Sequence, residues 1–177
     1  RVPLGIWTDK YGGRIVFFCL MIATVIPIFL MSYATQYWHF LVIGLFVGLA
    51  GGSFSVGTPY VARWFERDQQ GMAMGIFGAG NAGSSLTKLI APAIIAWAGW
   101  QMVPTVYAAI MLATAVLFWF FSYSDPKHLV PSNVTLASQL KLMKDPAVLR
   151  YCQLYSVVFG GYVALALWMV KYYVNEY

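Results

Sequence analysis

The 177-residue chain is 60% hydrophobic and only 10% charged, with a formal net charge of +5 and a mean hydropathy of +0.69. A soluble domain carries about 25% charged residues, so this composition cannot cover a water-facing surface. It excludes a disordered tail, a nucleic-acid-binding module and a secreted disulfide scaffold, and it points to an all-α integral membrane protein.

A bilayer core about 30 Å thick takes roughly 20 apolar residues per helix. Residues 1–8 read as the tail of one helix. Uncharged runs at 15–35 and 40–62, a run at 72–97 with the single charge Lys88, and uncharged runs at 102–122 and 151–170 predict five full spans. Continuous apolar runs without alternation argue against a barrel. The chain opens at Arg1 without a methionine or signal peptide and closes at Tyr177 after an apolar run, so a longer protein is expected.

Between the helices, loops 9–14, 63–70 and 125–150 carry Lys or Arg, whereas the turns 36–39 and 99–101 carry neither. Positive loops mark the cytoplasmic side, which predicts a multi-pass topology with those three loops inside. Residues 125–150 differ from their surroundings. They hold Pro126, Pro131 and Pro146, an amphipathic stretch at 135–144 expected on the membrane surface, and a glycosylation sequon at Asn133 whose predicted cytoplasmic side argues against its use. Cys19 and Cys152 lie in apolar runs at no metal or redox spacing and read as buried free thiols. No enzyme constellation, cofactor motif or metal cluster is visible, so no catalytic activity is expected.

All six acidic residues, Asp9, Glu66, Asp68, Asp125, Asp145 and Glu176, fall in loops or at helix ends. A cation carrier usually needs a carboxylate at membrane depth. Arg1 and Lys88 supply positive charge there instead, which favours an anion as cargo. Lys88 reads either as a snorkelling residue or as an accessory or coupling group. Asn81, alone among small residues, reads as interhelical glue or as a ligand.

The first loop, Gly5-Ile-Trp-Thr-Asp9-Lys10-Tyr-Gly12-Gly13-Arg14, resembles the G-x-x-x-D-R/K-x-G-x-R signature of the major facilitator superfamily. Gly51 and Gly52 precede Phe54, and a glycine-rich run follows at Gly71, Gly75, Gly78, Gly80 and Gly83 around Asn81. That run resembles the nitrate signature of the nitrate/nitrite porter branch. The branch pattern also places an arginine where Arg1 stands, thirteen residues before Arg14, a phenylalanine at Phe54, and Y-x-x-x-F-G at Tyr155 to Gly160. The resemblance implies a partial major-facilitator fold running from the end of helix two through helix seven. Residues 1–124 would finish the first six-helix half, 125–150 would form the inter-half loop, and 151–177 would begin the second half.

Carried over residue by residue, the resemblance implies that Arg1, Phe54, Asn81, Tyr155 and Phe159 line an anion site. Nitrate is planar and singly charged, so a guanidinium fork can bond two of its oxygens in plane. The implied function is transport of nitrate, nitrite or both across the cytoplasmic membrane by alternating access, as an antiporter or a proton symporter. The implied working form is a monomer in the lipid bilayer, with no cofactor. Two other readings stay open: a transporter of another small anion, and a non-transporting membrane sensor or assembly half.

Overall fold

The computed structural model describes residues 2–124 and 144–176. Among them the chain is helical, with no strand. Helix α1 (Val2–Tyr11) turns at Gly12 into α2 (Gly13–Leu30), which continues through a 3-10 turn, Met31–Tyr33. Gly12 has φ 89°, ψ 146°, a region essentially restricted to glycine, so the signature loop can reverse the chain within one residue. Helix α3 (Tyr37–Val47), a 3-10 turn at Gly48–Gly52 and α4 (Ser53–Ala62) form one continuous segment. A second such segment comprises α5 (Gln70–Gly78), a 3-10 turn at Ala79–Ala82 and α6 (Gly83–Ala98). Helix α7 (Met102–Phe121) follows, and α8 (Pro146–Glu176) closes the chain.

Four segments, 13–33, 37–62, 102–121 and 146–176, are long and apolar enough to cross a membrane. The fifth expected span forms as the α5–α6 segment, but Asn81, Ser84, Ser85, Thr87 and Lys88 make it more polar, and it is not among those four. Two expected boundaries move. The turn between the first two spans shrinks to the residues around Gln36, because α3 already begins at Tyr37. The last helix starts at Pro146 rather than Tyr151, so residues 146–150 belong to it and not to the connector. The cause is local. The Asp145 carboxylate accepts the Ala147 backbone N–H at 2.9 Å, and Pro146 has a preset φ suited to a first helical position. The amphipathic stretch at 135–144, apart from its last residue, and the sequon at Asn133 lie outside the described residues.

The chain divides into two compact units between Ser132 and Asn133. In the first, α2 is the hub, packing most extensively on α7 and also on α1, α3 and α4. Its buried apolar cluster is small: Val16, Leu20 and Val56, with Leu4 and Phe17 against it. Buried Thr8 and Thr24 turn their hydroxyls back to their own helices, Thr8 Oγ1 donating to the Leu4 carbonyl at 2.8 Å and Thr24 Oγ1 to that of Met21 at 2.8 Å. Ile26, Leu45 and Leu117 point outward. Lipid is as apolar as leucine, so helices in a membrane associate through close packing and polar ties rather than burial of apolar area. This is an all-α, multi-pass membrane protein.

The ties cluster at two ends. At one, Arg63 pairs with Asp9, Arg14 donates to the Trp119 carbonyl, and the Tyr60 hydroxyl donates to the Tyr123 carbonyl at 2.7 Å. At the other, Ser32 and Thr105 share a hydrogen bond of 2.8 Å, and the Phe40 and Trp100 rings meet at 5.9 Å. The two described basic loops, 9–14 and 63–70, therefore share one end, as their charge pattern predicts. Cys19 and Cys152 are both free, as expected, but they are exposed rather than buried.

Candidate functional site

The first unit carries its candidate residues beside the two 3-10 turns. Such turns in mid-helix tighten the backbone and often mark functional hinges. Phe54 follows the Gly48–Gly52 turn by two residues and is half-buried. Asn81 lies inside the Ala79–Ala82 turn and is exposed, and its carbonyl accepts the Ser84 hydroxyl at 3.0 Å. Helices α4 and α5 pack together, and across that contact Phe54 meets Phe77 edge to face, at 5.3 Å between centroids and 69° between planes.

Arg1 lies outside the described residues. Leu4, near the start of α1, packs so closely on Gly52 that a Cβ there would run into Leu4 Cδ1. Glycine at position 52 thus lets the start of α1 reach the turn that precedes Phe54. A cleft of about 320 Å³ opens beside it, lined by Leu4, Leu45, Gly48, Leu49, Gly51 and Gly52.

The second glycine run makes no close packing contact inside this unit. At Gly71, Gly75, Gly78, Gly80 and Gly83 a Cβ would meet no atom within 4 Å. Lys88, further along α6, is exposed. In the second unit, Tyr155 and Phe159 stand one turn apart on α8 and stack nearly parallel, with centroids at 5.6 Å and planes 7° apart. Spacing of four residues puts both rings on one helix face, and Tyr162 continues the row at 6.5 Å from Phe159.

Several contributors carried no distinctive sequence signal. Phe77 is one aromatic among many in a chain that is 18% aromatic. Arg63 reads as a loop charge, yet it is the partner of signature residue Asp9. Gln70 donates its amide to the Ala62 and Phe65 carbonyls at 2.9 and 3.2 Å, closing the frayed end of α4. Arg14 both bonds the end of α7 and stacks on Trp119, 4.5 Å from its ring centroid. Among the described residues no group of His, Cys, Asp or Glu is arranged to hold a metal ion.

The sequence profile described as Major Facilitator Superfamily matches residues 1–177. The chain belongs to this superfamily. It is 40% identical over 189 residues to the "Probable nitrate/nitrite antiporter NarK1" of Thermus thermophilus, covering 100% of this chain and 42% of that protein. It is 36% identical over 179 residues to the "Probable nitrate transporter NarT" of Staphylococcus haemolyticus, covering 100% and 46%. The "Nitrite extrusion protein" of Bacillus subtilis is 29% identical over 178 residues, covering 100% and 44%. The chain thus spans less than half the length of these relatives. No solved structure matches it.

Proposed function

We propose that this chain is part of a secondary active transporter that moves nitrate, nitrite or both across the cytoplasmic membrane by alternating access. The observation that carries the reading is the match along the whole chain to relatives named for nitrate or nitrite transport. The placement of Phe54 and Asn81 beside the two 3-10 turns supports it.

In this reading Arg1 binds two anion oxygens in plane through its guanidinium fork. Phe54 and Phe159 close over the faces of the anion, and Tyr155 and Asn81 donate hydrogen bonds. The open glycine face of α5 and α6 lets a neighbouring helix approach and slide during rocking of two halves. The basic loops 9–14, 63–70 and 125–150 lie on the cytoplasmic side. Acidic residues confined to loops and helix ends favour nitrate/nitrite exchange over proton coupling, with Lys88 in a supporting role and a monomer as the working unit.

The test uses the intact gene product in liposomes and follows labelled nitrate entry under two conditions. One holds internal nitrite without a pH gradient; the other holds an inward proton gradient without internal anion. Uptake in the first condition alone is expected. Uptake driven by protons alone would replace exchange with symport, and no uptake in either would overturn the nitrate assignment. Arg1→Lys keeps the charge but not the fork, and it is expected to lower uptake roughly 10- to 100-fold, the scale of one charge-assisted hydrogen bond.

A further inference from the structure

The family resemblance assigns no role to Phe77, yet the structure seats its ring with unusual closeness. Gly57 is buried on α4, and a Cβ there would lie 2.5 Å from Phe77 Cζ and 2.8 Å from Cε2. Any larger residue would push the ring away. Gly57 follows Phe54 by three residues, so both share one face of α4, and the ring resting on the glycine stands against Phe54 at 69°. Phe77 also precedes Asn81 by one helical turn on the same continuous segment.

A phenylalanine ring turns about a broad torsion at χ2, so its plane is set by its neighbours. The plane matters for an anion, because an aromatic ring is negative on its faces and positive at its edge. A fixed plane also suits a flat anion better than a pyramidal one. Resting on the transporter reading, we propose that Phe77 is a positioning residue. Its ring, seated on Gly57, fixes the plane of Phe54 and through it makes the site select a planar anion over a pyramidal one of equal charge.

The experiment measures KM and Vmax for nitrate, and inhibition by chlorate, with the intact gene product in liposomes. Phe77→Leu is expected to raise the nitrate KM and to reduce nitrate-over-chlorate selectivity, each by about three- to tenfold, the scale of one aromatic pair. Vmax should stay within about twofold. Phe77→Tyr restores the ring and should restore selectivity. Gly57→Ala displaces the ring without removing it and should reproduce the selectivity loss, which keeps the test open if Phe77→Leu does not fold. The double variant Phe54→Leu/Phe77→Leu should be no less selective than Phe54→Leu alone, because Phe77 acts through Phe54. Unchanged selectivity in both Phe77→Leu and Gly57→Ala, or additive losses in the double variant, would overturn the inference while leaving the transporter reading intact. Failure of the unmodified protein to carry nitrate would overturn that reading and this inference with it.

Discussion

Gly12 and Gly5 stand in the same loop signature and illustrate how differently one residue type is used. At Gly12 the backbone adopts a positive φ that side chains rarely tolerate, whereas a Cβ at Gly5 would meet nothing within 4 Å. Gly12→Ala is expected to destabilise the protein by about 1–3 kcal/mol. Gly5→Ala should be neutral or slightly stabilising, because alanine favours helix. Thermal unfolding of the two variants in detergent checks the contrast, and equal shifts would contradict it. The motif gave both glycines the same weight, since a spacing pattern records residue type and not dihedral angle. The same blindness explains Phe77: its role depends on a glycine twenty residues earlier, and only the packing of α5 on α4 brings the two together.

At the scale of elements, helix existence was legible while helix texture was not. Each expected span forms as a helical segment, four of them long and apolar enough to cross a membrane, because a long apolar run can satisfy its backbone in lipid only as a helix. The two 3-10 turns passed unseen. They fall where glycines, alanines and one asparagine crowd together, at Gly48–Gly52 and Ala79–Ala82, and small residues fit α and 3-10 geometry equally well. The ties between elements behave likewise. Asp9 is a recognisable signature residue, but its partner Arg63, at the end of α4, is 54 positions away. The pair is partly exposed, at 25% and 32%, so solvent screening trims its strength. A double-mutant cycle with Asp9→Asn and Arg63→Gln is expected to give a coupling of about 1 kcal/mol in thermal unfolding. A coupling near zero would show that the loop and α4 are held by packing alone, chiefly the seat of Tyr60 against Gly13.

For the molecule as a whole, charge alternation predicts sidedness, and the structure supplies the geometric half of that claim by gathering loops 9–14 and 63–70 at one end. Single cysteines at Arg67 and Gln101, in a background with Cys19 and Cys152 replaced by alanine, test the rest. An impermeant maleimide added to intact cells should label Gln101→Cys directly and Arg67→Cys only after permeabilisation. Labelling of both from the same side would overturn the topology. The sequence by itself determined the class of molecule, the order of the described helical segments and its superfamily. Each of these follows from local composition, from hydrophobic length matched to a bilayer, or from a contiguous motif. Only the tertiary structure decided which face of each helix is covered. It left Cys19 and Cys152 exposed, left the glycines of α5 and α6 open within their unit, and set Phe77 against Phe54. The physical reason is that lipid-facing and protein-facing positions in a membrane helix are both apolar, so hydrophobicity does not distinguish them and the outcome rests on side-chain shape at each contact.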